Sequence, residues 1–154
     1  MAGRKSLREE PCPVARSVDL VGDRWALLIV RDAFDGVRRF GDFQRSLGVA
    51  RNILTDRLRL LVEEGILASQ PASDGSAYQE YVLTPKGEDL FGVVVALRRW
   101  GERHLFARGE PHSVLVDRAT GRKVEGVALR TPDGREVKPE RTAVRKVGSG
   151  RQAS

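Results

Sequence analysis

The sequence predicts a mainly α-helical α+β fold that ends in a small β extension. Apolar residues recur at three- and four-residue spacing through most of 13–64 and again over 85–106, which is typical of amphipathic helices. Between these regions, "ILASQPASDGSAYQEYVLT" indicates two short strands joined by a turn. After residue 108, short valine-rich stretches alternate with the turns "ATGR" and "PDGR", which indicates a β-meander or paired hairpins.

The first two predicted helices pack the N-terminal part of the domain. Pro13 suits a first helical position because proline lacks the N–H that would be unsatisfied there. Val14, Val18 and Val21 follow at helical spacing, and Gly22-Asp23 interrupts them. The stretch "RWALLIVRDAF" then predicts a mostly buried second helix, with Trp25 in the core, that ends at Gly36.

Two further helices are joined by a tight glycine turn. The first has an apolar face at Phe40, Phe43 and Leu47, and Gly48 forms the turn. The next predicted helix, 51–64, has leucines four and seven residues apart, which lie along one stripe: Leu54, Leu58 and Leu61. Its other side is polar, and Ile53 and Leu60 fall on a flank. This is helix-turn-helix geometry with the outer face of the second helix left free.

A hairpin directly after such a pair is the wing of a winged helix. We expect strands over 66–70 and 78–83, with "SDG" as the turn and with Tyr81 and Leu83 facing inward against Leu67. Thr84 is then an N-cap and Pro85 the first position of a long helix, 85–106. That helix has a continuous apolar face, on which core packing is the expected role of Trp100.

The order of these signals resembles the HxlR-type winged helix-turn-helix family of bacterial transcriptional regulators. The matching pieces are "CPV" at 12–14, "VGDRW" at 21–25, "RFGDFQRSL" at 39–47, "LTDRLRLLVEEGIL" at 54–67 and "YVLTPKGEDL" at 81–90. The resemblance implies a DNA-binding domain over 12–108, after a flexible leader at 1–11. It also implies a cytoplasmic homodimer in which the first and the last long helices pair across the two-fold axis.

The same resemblance places the helix over 51–64 in the major groove of DNA. Arginine suits guanine, asparagine suits adenine, and threonine suits a phosphate or a thymine methyl. The predicted contact residues on this helix are Arg51, Asn52, Thr55, Asp56 and Arg59. An acidic side chain there is unfavourable near phosphate unless it pairs with an arginine or a cytosine amine. A solvated helix face is the alternative interpretation of these residues.

Further predicted contacts surround the helix pair. Phosphate contacts position a protein without reading sequence, and the candidates for them flank the first helix: Arg38, Arg39 and Arg45. The wing tip, 73–76, is a poor phosphate site, so we expect more from Gln70 or Gln79, or from backbone amides. The residues assigned to the subunit contact are Val14, Val18, Leu90, Val94, Leu97, Trp100 and His104.

Cys12 is the single cysteine and precedes a helix start, where the helix dipole would lower the pKa of its thiol. In some members of the family the equivalent cysteine senses oxidants or electrophiles, and a small buried or capping side chain is the alternative. With one cysteine and two separated histidines, His104 and His112, we expect no metal site and no cofactor.

The C-terminal segment carries most of the net charge of +6, since 107–154 hold 11 basic and 6 acidic residues. It resembles, more loosely, a zinc-ribbon-like β unit of some family members. The segment lacks the paired cysteines, so 109–148 is predicted to be a metal-free basic β extension. We expect 149–154 to be disordered.

The sequence contains no catalytic set, so an enzyme is not expected. Its start lacks a signal-peptide core and its longest apolar run is too short to span a membrane. The predicted function is a homodimeric repressor that binds double-stranded DNA, with an unknown small-molecule effector as a further partner. The alternatives are a winged-helix module that binds proteins and a small-molecule or redox sensor whose main partner is not DNA.

Overall fold

The computed structural model describes residues 5–148, so the predictions for 1–4 and for the tail at 149–154 lie outside the described residues. The chain divides into two compact units, 1–91 and 92–154. We name their described parts unit 1 (5–91) and unit 2 (92–148). This division groups the last long helix with the C-terminal extension, whereas the sequence analysis placed it in the winged-helix domain.

Unit 1 begins with four helices: α1 Pro13–Val21, α2 Arg24–Phe34, α3 Phe40–Leu47 and α4 Arg51–Glu63. The Asp23 carboxylate caps α2 by accepting hydrogen bonds from the backbone N–H groups of Trp25 and Ala26, at 3.0 and 3.1 Å. Gly48 ends α3 at φ 62°, a left-handed conformation that glycine adopts without steric cost. The predicted helix-turn-helix is therefore confirmed.

Two antiparallel strands form the wing, β1 Leu67–Pro71 and β2 Gln79–Leu83. Both start one residue later than predicted. The segment before α3 adds an edge to this sheet that the sequence analysis did not anticipate. The Tyr81 N–H donates to the Arg38 carbonyl at 2.7 Å, and Arg39 forms an isolated bridge with Glu80.

The core of unit 1 lies between α2, α3, α4 and the start of the wing. Its largest fully buried side chains come from all four elements: Ile29, Val30, Phe43, Leu54, Leu58, Leu61, Ile66 and Leu67. The predicted fold class, a mainly α-helical α+β winged helix-turn-helix, is confirmed. Trp25 is half-buried and does not belong to the fully buried set.

The predicted continuous helix over 85–106 is wrong, because the structure has a short α5, Pro85–Glu88, and a separate α6, Phe91–His104. Thr84 anchors the start of α5 by donating its hydroxyl to the Gly65 carbonyl. Gly87 packs so closely on the residue before β1 that a Cβ atom there would lie 2.1 Å from the Ile66 carbonyl oxygen. This docking fixes α5 on the base of the wing, and the chain turns before α6.

In unit 2, the extension after α6 forms two small turns at the predicted positions. Single antiparallel bridges close them, Val116 with Lys123 and Arg130 with Glu136. A short 3-10 helix, Pro139–Arg141, follows. The paired segments within 105–148 are thus shorter than the predicted meander.

Candidate nucleic-acid interface

Helix α4 buries one face and exposes the other. The predicted apolar stripe, Leu54, Leu58 and Leu61, is fully buried. The five residues that the sequence assigned to DNA contact are all exposed: Arg51, Asn52, Thr55, Asp56 and Arg59. Ile53 and Leu60 are half-buried on the flank, as expected. The geometry required of a recognition helix is therefore present.

The exposed side chains of α4 differ in how far they are already engaged. Arg59 Nη2 lies 2.7 Å from Asp56 Oδ1, so the acidic residue on this face is paired with an arginine. The Thr55 hydroxyl donates to the Arg51 carbonyl at 2.9 Å, within the same helix. The Asn52 side chain has no hydrogen-bond partner among residues 5–148. Arg51 and Asn52, in the first turn, are thus the most available polar groups.

A groove of about 570 Å³ borders the first turn of α4 and runs between α3 and the wing. Its lining includes one carboxylate, Asp42, which pairs with Arg45, and arginine, tyrosine and glutamine side chains: Arg39, Arg45, Arg51, Tyr78, Gln79 and Tyr81. The Arg51 guanidinium lies 5.0 Å from the centroid of the Phe40 ring. Because Arg51 has no acidic partner within the described part of the chain, its charge is available to an anion in this groove.

The three arginines predicted to hold phosphates are less free than Arg51. Arg45 pairs with Asp42 one turn earlier in α3. Arg39 pairs with Asp74 at the wing tip, and its Nη2 lies 3.8 Å from Glu80 Oε1. The hydrogen bond to Asp74 raises the pKa of Arg39. The Arg38 side chain is more exposed than that of Arg39, and its Nη1 lies 3.6 Å from Glu80 Oε2. Arg39 therefore ties the wing to the segment before α3.

Glu80 is a buried carboxylate that the sequence analysis missed. Its Oε1 accepts from the Ser73 N–H at 3.3 Å and from the Ser73 hydroxyl at 3.2 Å. The predicted alternation in β2 is wrong at this point, because Glu80 is buried whereas Tyr81 is half-buried. Arg38 and Arg39 beside it compensate the buried charge. The two adjacent arginines before α3 were the sequence feature from which a nearby buried carboxylate could have been inferred.

The wing tip is organised by its own residues. Hydrogen bonds from Ser76 and from Arg39 hold the pKa of Asp74 well below its usual range. Gln79 is exposed, and its Oε1 accepts from the Ser69 hydroxyl at 3.3 Å, while Gln70 is half-buried. The role of the two glutamines in DNA contact stays a prediction.

A second pair that the sequence analysis missed holds α4 against α2. Arg57 Nε donates to Asp23 Oδ2 at 2.8 Å, and Arg57 Nη2 donates to Oδ1 at 3.3 Å. The hydrogen bond from Arg57 is the main reason why the pKa of Asp23 is lowered. Asp23 thus caps α2 and, through a two-point contact, fixes the rotation of α4 about its axis.

Comparison with known proteins identifies the family. A family model described as HxlR-like helix-turn-helix matches residues 20–108. The chain belongs to this HxlR-like family. Rv3095 of Mycobacterium tuberculosis (strain H37Rv), named an uncharacterized HTH-type transcriptional regulator, is 42% identical over 132 residues, which cover 86% of this chain and 84% of the relative.

Two solved structures resemble the HxlR-type chain over most of its length. The crystal structure of PA1607, described as a candidate transcription factor, has 50% sequence identity and a TM-score of 0.87, and the match covers 92% of this chain and 99% of PA1607. PA1374 from Pseudomonas aeruginosa, described in the same way, has 43% identity and a TM-score of 0.61, with 92% and 96% covered. The HxlR-type protein is therefore a transcriptional regulator with a helix-turn-helix domain. Among the residues described, none of the helices is long and apolar enough to cross a membrane.

The residues assigned to a subunit contact in this HxlR-type regulator are mostly exposed. In unit 1, Val14 and Val18 on α1 are exposed and Leu90 is half-buried. In unit 2, Leu97 and His104 are exposed, Val94 is half-buried, and Trp100 is 57% exposed. Core packing of Trp100, the expected role, is therefore wrong. Its ring centroid lies 5.2 Å from that of His104.

Cys12 is a free, exposed cysteine at the N-cap of α1, and its side chain makes no capping hydrogen bond. The interpretation as a buried or capping side chain is therefore wrong, and a redox or electrophile sensor stays a prediction. Among residues 5–148, no group of three or more histidine, cysteine or acidic side chains is placed to hold a metal ion. The His112 ring lies 4.9 Å from Phe106.

Proposed function

We propose that this HxlR-type regulator is a homodimeric repressor that binds specific sites on double-stranded DNA. The observation that carries the proposal is the division of α4, whose leucines are buried and whose polar residues are exposed beside the groove. An α-helix presented in this way fits the width of the major groove. The Asp23–Arg57 contact supports the proposal because it fixes the orientation of that face.

Within this proposal, the residues of the interface have different roles. Arg51 and Asn52 contact base edges or the adjacent phosphates. Both are exposed, and neither has an acidic partner among the described residues that would compete for it. The phosphates of one DNA strand follow the protein groove between α3 and the wing, which Arg45 and Gln79 line. Arg39 acts indirectly by holding the wing in place. Two copies of α4 read half-sites about 34 Å apart.

The dimer is supported by the apolar residues that remain exposed on α1 and α6. On each of these helices, exposed apolar residues mark an interaction site more often than a solvated surface. As a repressor, the protein occupies its operator when no effector is bound, so deletion of its gene is expected to raise expression of the operon that carries the selected site.

The test is a selection of genomic DNA fragments with purified protein, followed by footprinting and anisotropy titration of the selected duplex. We expect two protected half-sites and an affinity that falls steeply with salt. Arg51→Gln should weaken binding by about 1–3 kcal/mol if the arginine reads a base. Lys86→Gln is the matched control, because it removes the same charge at the other end of α4, where Lys86 Nζ donates to the Glu64 carbonyl.

Two outcomes contradict the proposal. Fragments enriched no further than sheared random DNA would favour a winged-helix module that binds proteins. Equal affinities of the Arg51 and Lys86 variants on every duplex would remove α4 from the interface.

A further inference from the structure

Unit 2 contains a pocket of about 340 Å³. One wall is the side of α6 that carries Trp100 and Arg103, and the other wall is the segment that contains Val127 and Leu129. Both walls belong to the same compact unit. The volume falls within the range of pockets that hold small organic molecules.

The walls of this pocket are largely apolar. The Trp100 ring is more than half exposed, and Val127 and Leu129 are exposed opposite it. His104 also lines the pocket, and its ring lies beside that of Trp100. An aromatic side chain and two aliphatic side chains around one cavity favour a flat apolar body.

The charge of the pocket is positive. Arg99 is compensated, because its Nη1 lies 3.3 Å from the Glu102 carboxylate. Arg103 has neither an ion pair nor a hydrogen bond among the described residues. Within the same part of the chain, no carboxylate lines the cavity. A guanidinium without a partner beside an apolar cavity is complementary to a carboxylate on an apolar body.

We propose that this pocket binds a small aromatic carboxylic acid, with the carboxylate on Arg103 and the ring against Trp100, Val127 and Leu129. The site is independent of the proposed DNA interface, which lies in unit 1. Trp100 and His104 are also among the residues assigned to the proposed subunit contact, so a bound acid would share two residues with that contact. The site therefore offers a direct way for an effector to change subunit association.

The test uses nuclear magnetic resonance of the full chain labelled with ¹⁵N, in which the two tryptophan indoles give separate signals that Trp100→Phe assigns. Benzoate and 1-naphthoate are titrated, with benzamide as the neutral match of benzoate. We expect the Trp100 indole signal to move with both acids and the Trp25 signal to stay. Benzamide should bind about fivefold more weakly than benzoate, which is the upper range for an exposed ion pair.

Arg103→Gln is expected to weaken benzoate binding about fivefold and to leave benzamide unchanged. Arg108→Gln is the matched control, since Arg108 is an exposed arginine of unit 2 that does not line the pocket. The proposal is overturned if neither acid moves the Trp100 signal, or if benzamide binds as well as benzoate. It is also overturned if the Arg103 and Arg108 variants bind benzoate equally, or if the Trp100 signal depends only on protein concentration, which would assign the pocket to a second copy. Because no DNA is present, none of these outcomes bears on the proposed repressor function.

Discussion

The two units of the chain treat their apolar side chains in opposite ways. Unit 1 buries leucine, isoleucine, valine and phenylalanine from four elements in one continuous core. In unit 2, Val95 is the single buried apolar residue among those described, while Leu97, Trp100 and Leu129 are exposed. A domain is stabilised mainly by apolar burial, so unit 1 has the larger apolar core and unit 2 carries apolar surface that is available to another molecule.

This difference separates two kinds of function. The packed core of unit 1 holds α4 in one orientation, which a surface that reads DNA requires. The exposed side chains of unit 2 suit association, with a second copy along Leu97 and Trp100 and with a small acid beside Arg103.

The largest effect is expected from matched leucine truncations in the two units. Leu58→Ala should lower the free energy of unfolding by about 2–5 kcal/mol, because it removes a fully buried side chain and leaves a cavity. Leu105→Ala should change it by less than about 0.5 kcal/mol, because Leu105 is 66% exposed. Urea denaturation of both variants measures this. Similar losses would mean that the apolar surface of unit 2 is covered in solution, and the contrast would fail.

An effect on association rather than on stability is expected on α6. Leu97→Asp should raise the dissociation constant of the proposed dimer at least tenfold, or about 1.4 kcal/mol, because a charge would be buried in the proposed subunit contact. Sedimentation equilibrium measures the constant, and Leu105→Asp, beyond the end of α6, is the control. If the Leu97 variant remains a dimer while the wild type is one, the subunit contact lies elsewhere.

The sequence was sufficient to predict unit 1 in most respects. The leucine spacing of α4, the glycine after α3 and the turn residues of the wing are local signals, and each predicted its element to within one or two residues. The break between α5 and α6 was not predictable, because it depends on the close approach of Gly87 to the Ile66 carbonyl, a contact between distant parts of the chain.

The candidate interface was predicted in position but not in detail. The exposed face of α4 follows from helical periodicity, whereas the partners of its charges do not. In the sequence, Arg39 and Arg51 are equally plausible phosphate contacts. In the structure, Arg39 pairs with Asp74 and Glu80, whereas Arg51 has no acidic partner among the described residues. Likewise, the apolar pattern of α6 alone did not decide between core packing and the subunit contact for Trp100, because that depends on what packs against the helix.

The smallest effect is expected from the polar contacts that hold the first turn of the extension to α6. Lys123 Nζ lies 3.0 Å from Glu102 Oε2, and Arg98 Nη1 donates to the Ser113 hydroxyl at 2.8 Å. The hydrogen bond from Lys123 lowers the pKa of Glu102. A carboxyl whose pKa is lower in the folded than in the unfolded protein stabilises the fold above its unfolded pKa, and this contribution is lost as the pH falls through the folded value.

Acidification below about pH 4 should therefore loosen this turn while the core of unit 1 persists. Hydrogen exchange, corrected for the intrinsic rate, reports on it through the Asp117 and Val124 amides, which donate to the Arg122 and Leu115 carbonyls at 2.8 and 2.9 Å. Glu102→Gln should produce part of this loss of protection at neutral pH, by less than about tenfold. Glu88→Gln, an exposed residue of α5, should not. The rest of the loss comes from Asp117 in the same turn, because the hydrogen bond from Thr120 also lowers the pKa of that carboxyl. If the buried amides of α4 lose protection at as high a pH as the Asp117 and Val124 amides do, apolar burial does not distinguish the two units.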